Sequence, residues 1–259
     1  MTKDEGGKRS ASLEDIYALI DRNRGDAARA AQSKFHNEME AAIAAIASIG
    51  SIAGARVLAD SRVASANVLI HAELAATRLL AEAEMQASNA LSSALTQRPE
   101  AIEAALLEIG RQTSLQLVTG AKQSVEKIQQ DAEAAIQTLR ETSTIAIREI
   151  QTLAASVAEQ TKRDAELAAE KLTEYRKTTH NADEAAAEGN DMAKIVLEAA
   201  AEASDHLQNT IQKTMTQINT ITDQACALIS EAALAAERRI QESLEKALLR
   251  LGEIINAHL

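Results

Sequence analysis

Five histidines, one cysteine and a surplus of carboxylates are the groups in this chain that could do chemistry. His36, His71, His180, His206 and His258 are the natural metal ligands. A di-iron helical bundle presents Glu-x-x-His, a zinc protease His-Glu-x-x-His, and a structural zinc site paired Cys-x-x-Cys. None of these spacings occurs, so no metal and no cofactor is expected. Cys226 has no histidine near it in sequence to take its proton, and it falls on an apolar stripe, where a buried inert thiol is expected rather than a nucleophile. Glu82, Glu84, Glu133, Glu166 and Glu170 alternate with apolar positions, the pattern of a solvated helix face rather than of paired acid and base. A Gly-rich phosphate loop is missing. Arg24-Gly25-Asp26 matches an integrin-binding tripeptide, a match short enough to arise by chance. The chain reads as a non-enzyme.

The elements that carry these groups are read from a different spacing. Phe35, Ile46, Val57, Val68 and Leu79 recur every eleven residues. A second row holds Leu58, Leu69, Leu80 and Leu91, a third holds Ile52, Val63, Leu74 and Met85, and a fourth near the C-terminus holds Leu207, Ile218, Ile229, Ile240 and Leu251. Eleven residues over three turns is about 3.67 per turn, which favours straight or right-handed supercoiled helices over a leucine-zipper twist. Composition agrees. Aromatic residues make up 1% of the 259 residues, there is one proline, and the chain is rich in the strong helix formers Ala, Leu, Glu, Gln, Lys and Arg. The fold class is therefore all-α, with long helices in eleven-residue apolar repeats forming an elongated coiled coil or an antiparallel bundle.

Breaks divide the chain. Residues 1–11 are polar and read as a disordered tail. Residues 12–25 are a short amphipathic helix and linker: Ser12 and Asp15 resemble a capping box, and Leu13, Ile16, Tyr17 and Ile20 share one face. A first long helix spans 26–98, with Asp26 as N-cap and Pro99 as the break after it. A second helical stretch covers 99–189, with weak points at Gly110 and Gly120, and a third helix covers 190–259 after the Gly189-Asn190-Asp191 break. The last helix has one apolar stripe. The first is apolar on two sides, so it should sit centrally in a bundle or face a second subunit. Gly50 and Gly54 form a small-xxx-small pattern that suits close helix packing.

Charge narrows the partners. A net charge of -11 argues against a nucleic-acid backbone and disfavours anionic lipid. The polar start lacks a secretory leader, the longest uncharged stretch, Ala41 to Ala55, falls short of the roughly 20 strongly apolar residues of a membrane span, and the single cysteine fits a cytoplasmic setting. The expected function is a structural protein, a self-associating helical rod that builds a homo-oligomer, scaffold or filament. Its expected oligomer interface is Phe35, Ile46, Ile52, Val57, Leu58, Val63, Val68, Leu69, Leu74, Leu79, Leu80, Met85, Leu207, Ile218, Ile229, Ile240 and Leu251. Leu13, Ile16, Tyr17 and Ile20 form a candidate face for docking a protein partner, which would make the chain an adaptor; the other reading is that this helix folds back onto its own bundle. In alanine-rich helical composition, though in no specific motif, the chain resembles the phasins that coat bacterial storage granules. That resemblance implies the alternative, an amphipathic coat on a granule or lipid surface, led by the stripe from Leu207 to Leu259. The helices also resemble the bacterial chemoreceptor hairpin in composition, without its tip motif.

Overall fold

The computed structural model describes residues 12–20, 23–94, 99–174 and 182–257. It contains α1 (Leu13–Ile20), α2 (Arg24–Ala94), α3 (Pro99–Glu174) and α4 (Ala182–Asn256). The proposed disordered tail lies outside the described residues. Contacts gather into two compact units, Met1–Gly54 with Thr144–Asn219 and Ala55–Ser143 with Thr220–Leu259, and each long helix contributes a segment to both.

In the first unit, Phe35 of α2 packs in one cluster with Leu172 of α3 and Val196 of α4, while Ile46 packs in another with Ile150, Leu207 and Ile218. Advancing along α2 therefore means going backward along α3 and forward along α4. The three segments form an up-down-up bundle. The second unit repeats this order: Glu73 of α2 meets Arg239 of α4, His71 approaches Asp131 of α3, and Gly110 of α3 lies against Ile255 of α4. Alanine is the most frequent residue of both interiors, including Ala27, Ala31, Ala165 and Ala168 in the first and Ala72, Ala83, Ala225 and Ala236 in the second. Each buried methyl contributes little, so the core is built from many close contacts along the helices rather than from a few large side chains.

The helix ends follow local chemistry. Ser12 and Asp15 cap α1 reciprocally: the Ser12 amide donates to the Asp15 carboxylate at 2.9 Å, and the Asp15 amide donates to the Ser12 hydroxyl at 3.2 Å. The Ser12 amide, together with the Ser12 hydroxyl that donates to the same carboxylate oxygen at 2.8 Å, holds the Asp15 carboxyl below its ordinary value. At the start of α2 the cap is Asn23, whose side-chain oxygen accepts from the Gly25 amide at 3.1 Å, and Asp26 lies inside the helix. Pro99 opens α3, where its missing N–H costs nothing.

Besides this shift of the α2 cap from Asp26 to Asn23, the boundary before the last helix differs from the sequence expectation. Gly189, Asn190 and Asp191 do not separate two helices; they lie within α4, and α3 ends at Glu174. An interior glycine costs about 1 kcal/mol. Burial of Ala193 and Val196 against α2 and α3 just beyond offsets so small a penalty. Gly110 and Gly120 likewise leave α3 unbroken.

The glycines differ in what surrounds them. A β-carbon on Gly50 would collide with the methyl of Thr214, a β-branched side chain with little rotamer freedom. At Gly120 the nearest atom is Leu79 Cδ2, an ordinary contact at 3.9 Å. Gly50→Ala should therefore lose about 1–3 kcal/mol through overpacking. Gly120→Ala should gain up to about 1 kcal/mol from helix propensity. Urea unfolding of the two variants checks this pair of signs, and the reverse order would contradict the close approach of α2 and α4 at Gly50.

Candidate interaction surface

The apolar rows separate into an inner and an outer set. Phe35 and Ile46 are buried in the first unit, and Val57, Val68 and Leu79 in the second. The α4 row is buried as well, with Leu207 and Ile218 in the first unit and Ile229, Ile240 and Leu251 in the second. These positions are core of the chain's own bundle, which corrects the expectation that they face other subunits. The same burial removes the α4 stripe as a surface that could lie on a granule.

On α2 a third row stays outside. Ile52 is 66% exposed, Val63 60%, Leu74 63% and Met85 54%, with Ile70 also exposed between them. Leu69 and Leu80 are exposed to a lesser degree and Leu58 is half-buried. A helix in a three-helix bundle touches two neighbours and turns the rest of its surface outward; here a strip along that surface is apolar, flanked by charged residues such as Arg62 and Glu84. Fully burying one such side chain is worth about 1.5–3 kcal/mol, which the single chain forgoes at each position. On α4, exposed Leu249 stands among Glu245, Lys246, Arg250 and Glu253, and on α3 the exposed Leu107, Leu115 and Val118 are interrupted by Arg111. Only the α2 face continues over several turns among the described residues, and contiguous patches of this kind mark contact surfaces. By length and composition alone, α2 also contains a stretch apolar enough to cross a membrane, a third of it buried in the bundle.

The proposed docking helix is already engaged. Ile16 is completely buried against Ala27, Ala31 and Phe35 of α2, Leu172 of α3 and Val196 of α4, and Leu13 and Tyr17 pack beside it. Of the two readings of this segment the structure takes the fold-back, which corrects the docking one: an apolar face that could enter a partner's groove enters the chain's own. The side chain of Ile20 lies outside the described residues.

The reactive groups are dispersed. His71 approaches Asp131 at 3.5 Å and His206 approaches Glu40 at 3.9 Å, and all four side chains are open to solvent over about two-fifths of their surface or more. Among the described residues no three of His, Cys, Asp and Glu come together as a metal site. Cys226 is buried in the second unit's core. A surface groove of about 560 Å³ between α2 and α3 is lined by Arg78, Glu82, Gln123 and Lys127, without a nucleophile and base in contact.

Sequence reasoning missed one polar cluster. Lys34 of α2 donates to Asp164 of α3 at 2.6 Å and to Glu38 at 2.7 Å, and Gln160 donates to the other Asp164 oxygen at 2.8 Å. Both members of the cross-helix pair are buried. Burial works against the Lys34 ammonium, but its hydrogen bonds to Asp164 and Glu38, with their negative charges, outweigh it and raise the lysine above its ordinary value. The partners stand 130 residues apart, so no local pattern reveals them.

No family model matches the chain, and no curated protein does. Among solved structures it is similar to a computationally designed three-helix bundle, at 15% identity, with a TM-score of 0.56 over 94% of this chain and 98% of that one. The likeness establishes the fold, an all-α helical bundle.

Lys34→Met should cost about 3–5 kcal/mol, because it strands the Asp164 carboxylate in the interior, whereas Lys34→Met with Asp164→Leu should recover most of the loss. A raised lysine value means that the contribution of the lysine's ionisation is fully present below about pH 10.5, its ordinary value, and is lost as pH rises through the higher folded value. Denaturant titrations of the single and double variants at neutral pH, and of the native chain above pH 10, are the corresponding measurements.

Proposed function

We propose that the chain is a non-enzymatic structural protein, a helical bundle that associates with copies of itself into a homo-oligomer serving as a scaffold. The observation that carries this reading is the outer face of α2, where Val63, Ile70, Leu74 and Met85 are exposed although the bundle's interior is already filled by the other rows. The dispersed histidines and carboxylates support a role without catalysis. A single buried cysteine is in keeping with a cytoplasmic setting. The acidic charge keeps such an assembly soluble and turns it away from nucleic acid. A coat on a granule or lipid surface is the weaker reading, because the α4 stripe that it relied on is spent on the core.

Sedimentation velocity and light scattering on the purified full chain test the proposal. An assembly of two or more 27.6 kDa chains at micromolar concentration is the expected result. A monomer at every concentration up to the millimolar range would remove self-association as the function.

A further inference from the structure

The outer face of α2 repeats a single pattern three times within the second unit. Ala59, Val63 and Ala66 are followed eleven residues later by Ile70, Leu74 and Thr77, and eleven later again by Ala81, Met85 and Ser88. All nine are exposed and none is charged. A seam repeating at eleven residues stays in line along a straight or slightly right-handed helix pair, so a second helix of the same period can follow it throughout.

We propose that this seam binds the same seam of a second copy, antiparallel, about a two-fold axis that passes between the two α2 helices at the level midway between Ile70 and Leu74. The inference rests on the self-association reading and names its interface. Size complementarity fixes the direction. With the axis there, Ile70 faces Leu74 of the second copy, while the larger residues of the outer repeats face alanines: Val63 meets the second copy's Ala81, and Met85 its Ala59. In a parallel pair every layer would face itself, alanine on alanine at positions 59, 66 and 81, and gaps of that kind forfeit contact energy. Charge selects the same arrangement. Arg62 and Glu84 flank the seam on one side, and the antiparallel axis brings each Arg62 to within about 3 Å, measured along the helix, of the level of the other copy's Glu84, twice by symmetry. Glu73, on the same flank near the axis, is tied to Arg239 of its own chain, and this pairing neutralises the like charge that would otherwise meet itself there.

Cysteine crosslinking separates the arrangements. In a Cys226→Ala background, Ala59→Cys and Met85→Cys chains are oxidised separately and as a mixture. In the antiparallel pair, two positions 59 lie about 39 Å apart at about 1.5 Å per residue, beyond any disulfide. The mixture alone should form a crosslinked dimer. Crosslinking of either variant by itself would assign a parallel seam and overturn the proposal. Leu74→Asp, at an exposed position, should keep the native helical circular dichroism yet lose the dimer at a concentration where the native chain is fully associated. An oligomer that survives Leu74→Asp, with no crosslink in the mixture, would leave self-association standing but place its interface elsewhere. A chain that is monomeric throughout would remove both readings. Binding of the native monomer, but not of Leu74→Asp, to phosphatidylcholine vesicles would assign the face to lipid and overturn the proposal.

Discussion

Close approach of alanine-lined helices is the constraint on which the rest depends. With almost no aromatic residues to fill space, the helices must come near enough for small side chains to touch. Gly50 lies where a methyl would strike Thr214, and in the second unit the buried Ser143 and Thr222 hydroxyls bond directly across the α3–α4 contact. A core of this kind gains little from each residue and so needs length, which the chain supplies in helices of 71, 76 and 75 residues. Single larger residues at eleven-residue intervals, Phe35 and Ile46 in one unit and Val57, Val68 and Leu79 in the other, punctuate it.

Once the inner rows are committed to that core, the outer row of α2 becomes the feature that intramolecular packing does not account for. A bundle of three helices has no inward position left for Leu74 and Met85, whereas α3 and α4 turn mostly polar and charged residues outward. The buried Lys34–Asp164 pair acts on a different level. It contributes little net energy against well-packed apolar residues, yet a slip of α2 along α3 would strand both charges, so it fixes the register in the first unit.

Much of this was legible in the sequence, for physical reasons that can be named. Pro99 and the Ser12–Asp15 box act through neighbouring backbone, so their effects are local and were read correctly. The eleven-residue rows identified apolar faces but not which face turns inward: Val57 and Val63 have the same chemistry, and the choice depends on the small residues around each and on what α3 and α4 bring to meet them. Gly189 misled because a local helix penalty was weighed without the tertiary contacts that offset it. The fate of Ile16 was illegible for a related reason, since an amphipathic helix looks the same whether its groove belongs to a partner or to its own chain.

If a second copy covers the outer face of α2, the native chain carries its own probe of that contact. Met85 is exposed on that face, while Met215, half-buried between α3 and α4 in the other unit, serves as an internal reference. Peroxide oxidation followed by mass spectrometry across a protein dilution series measures both at once. The account predicts that Met85 oxidises quickly at concentrations where the chain is monomeric and becomes protected as it associates, with Met215 unchanged. A Met85 rate that stays constant across the association would contradict it.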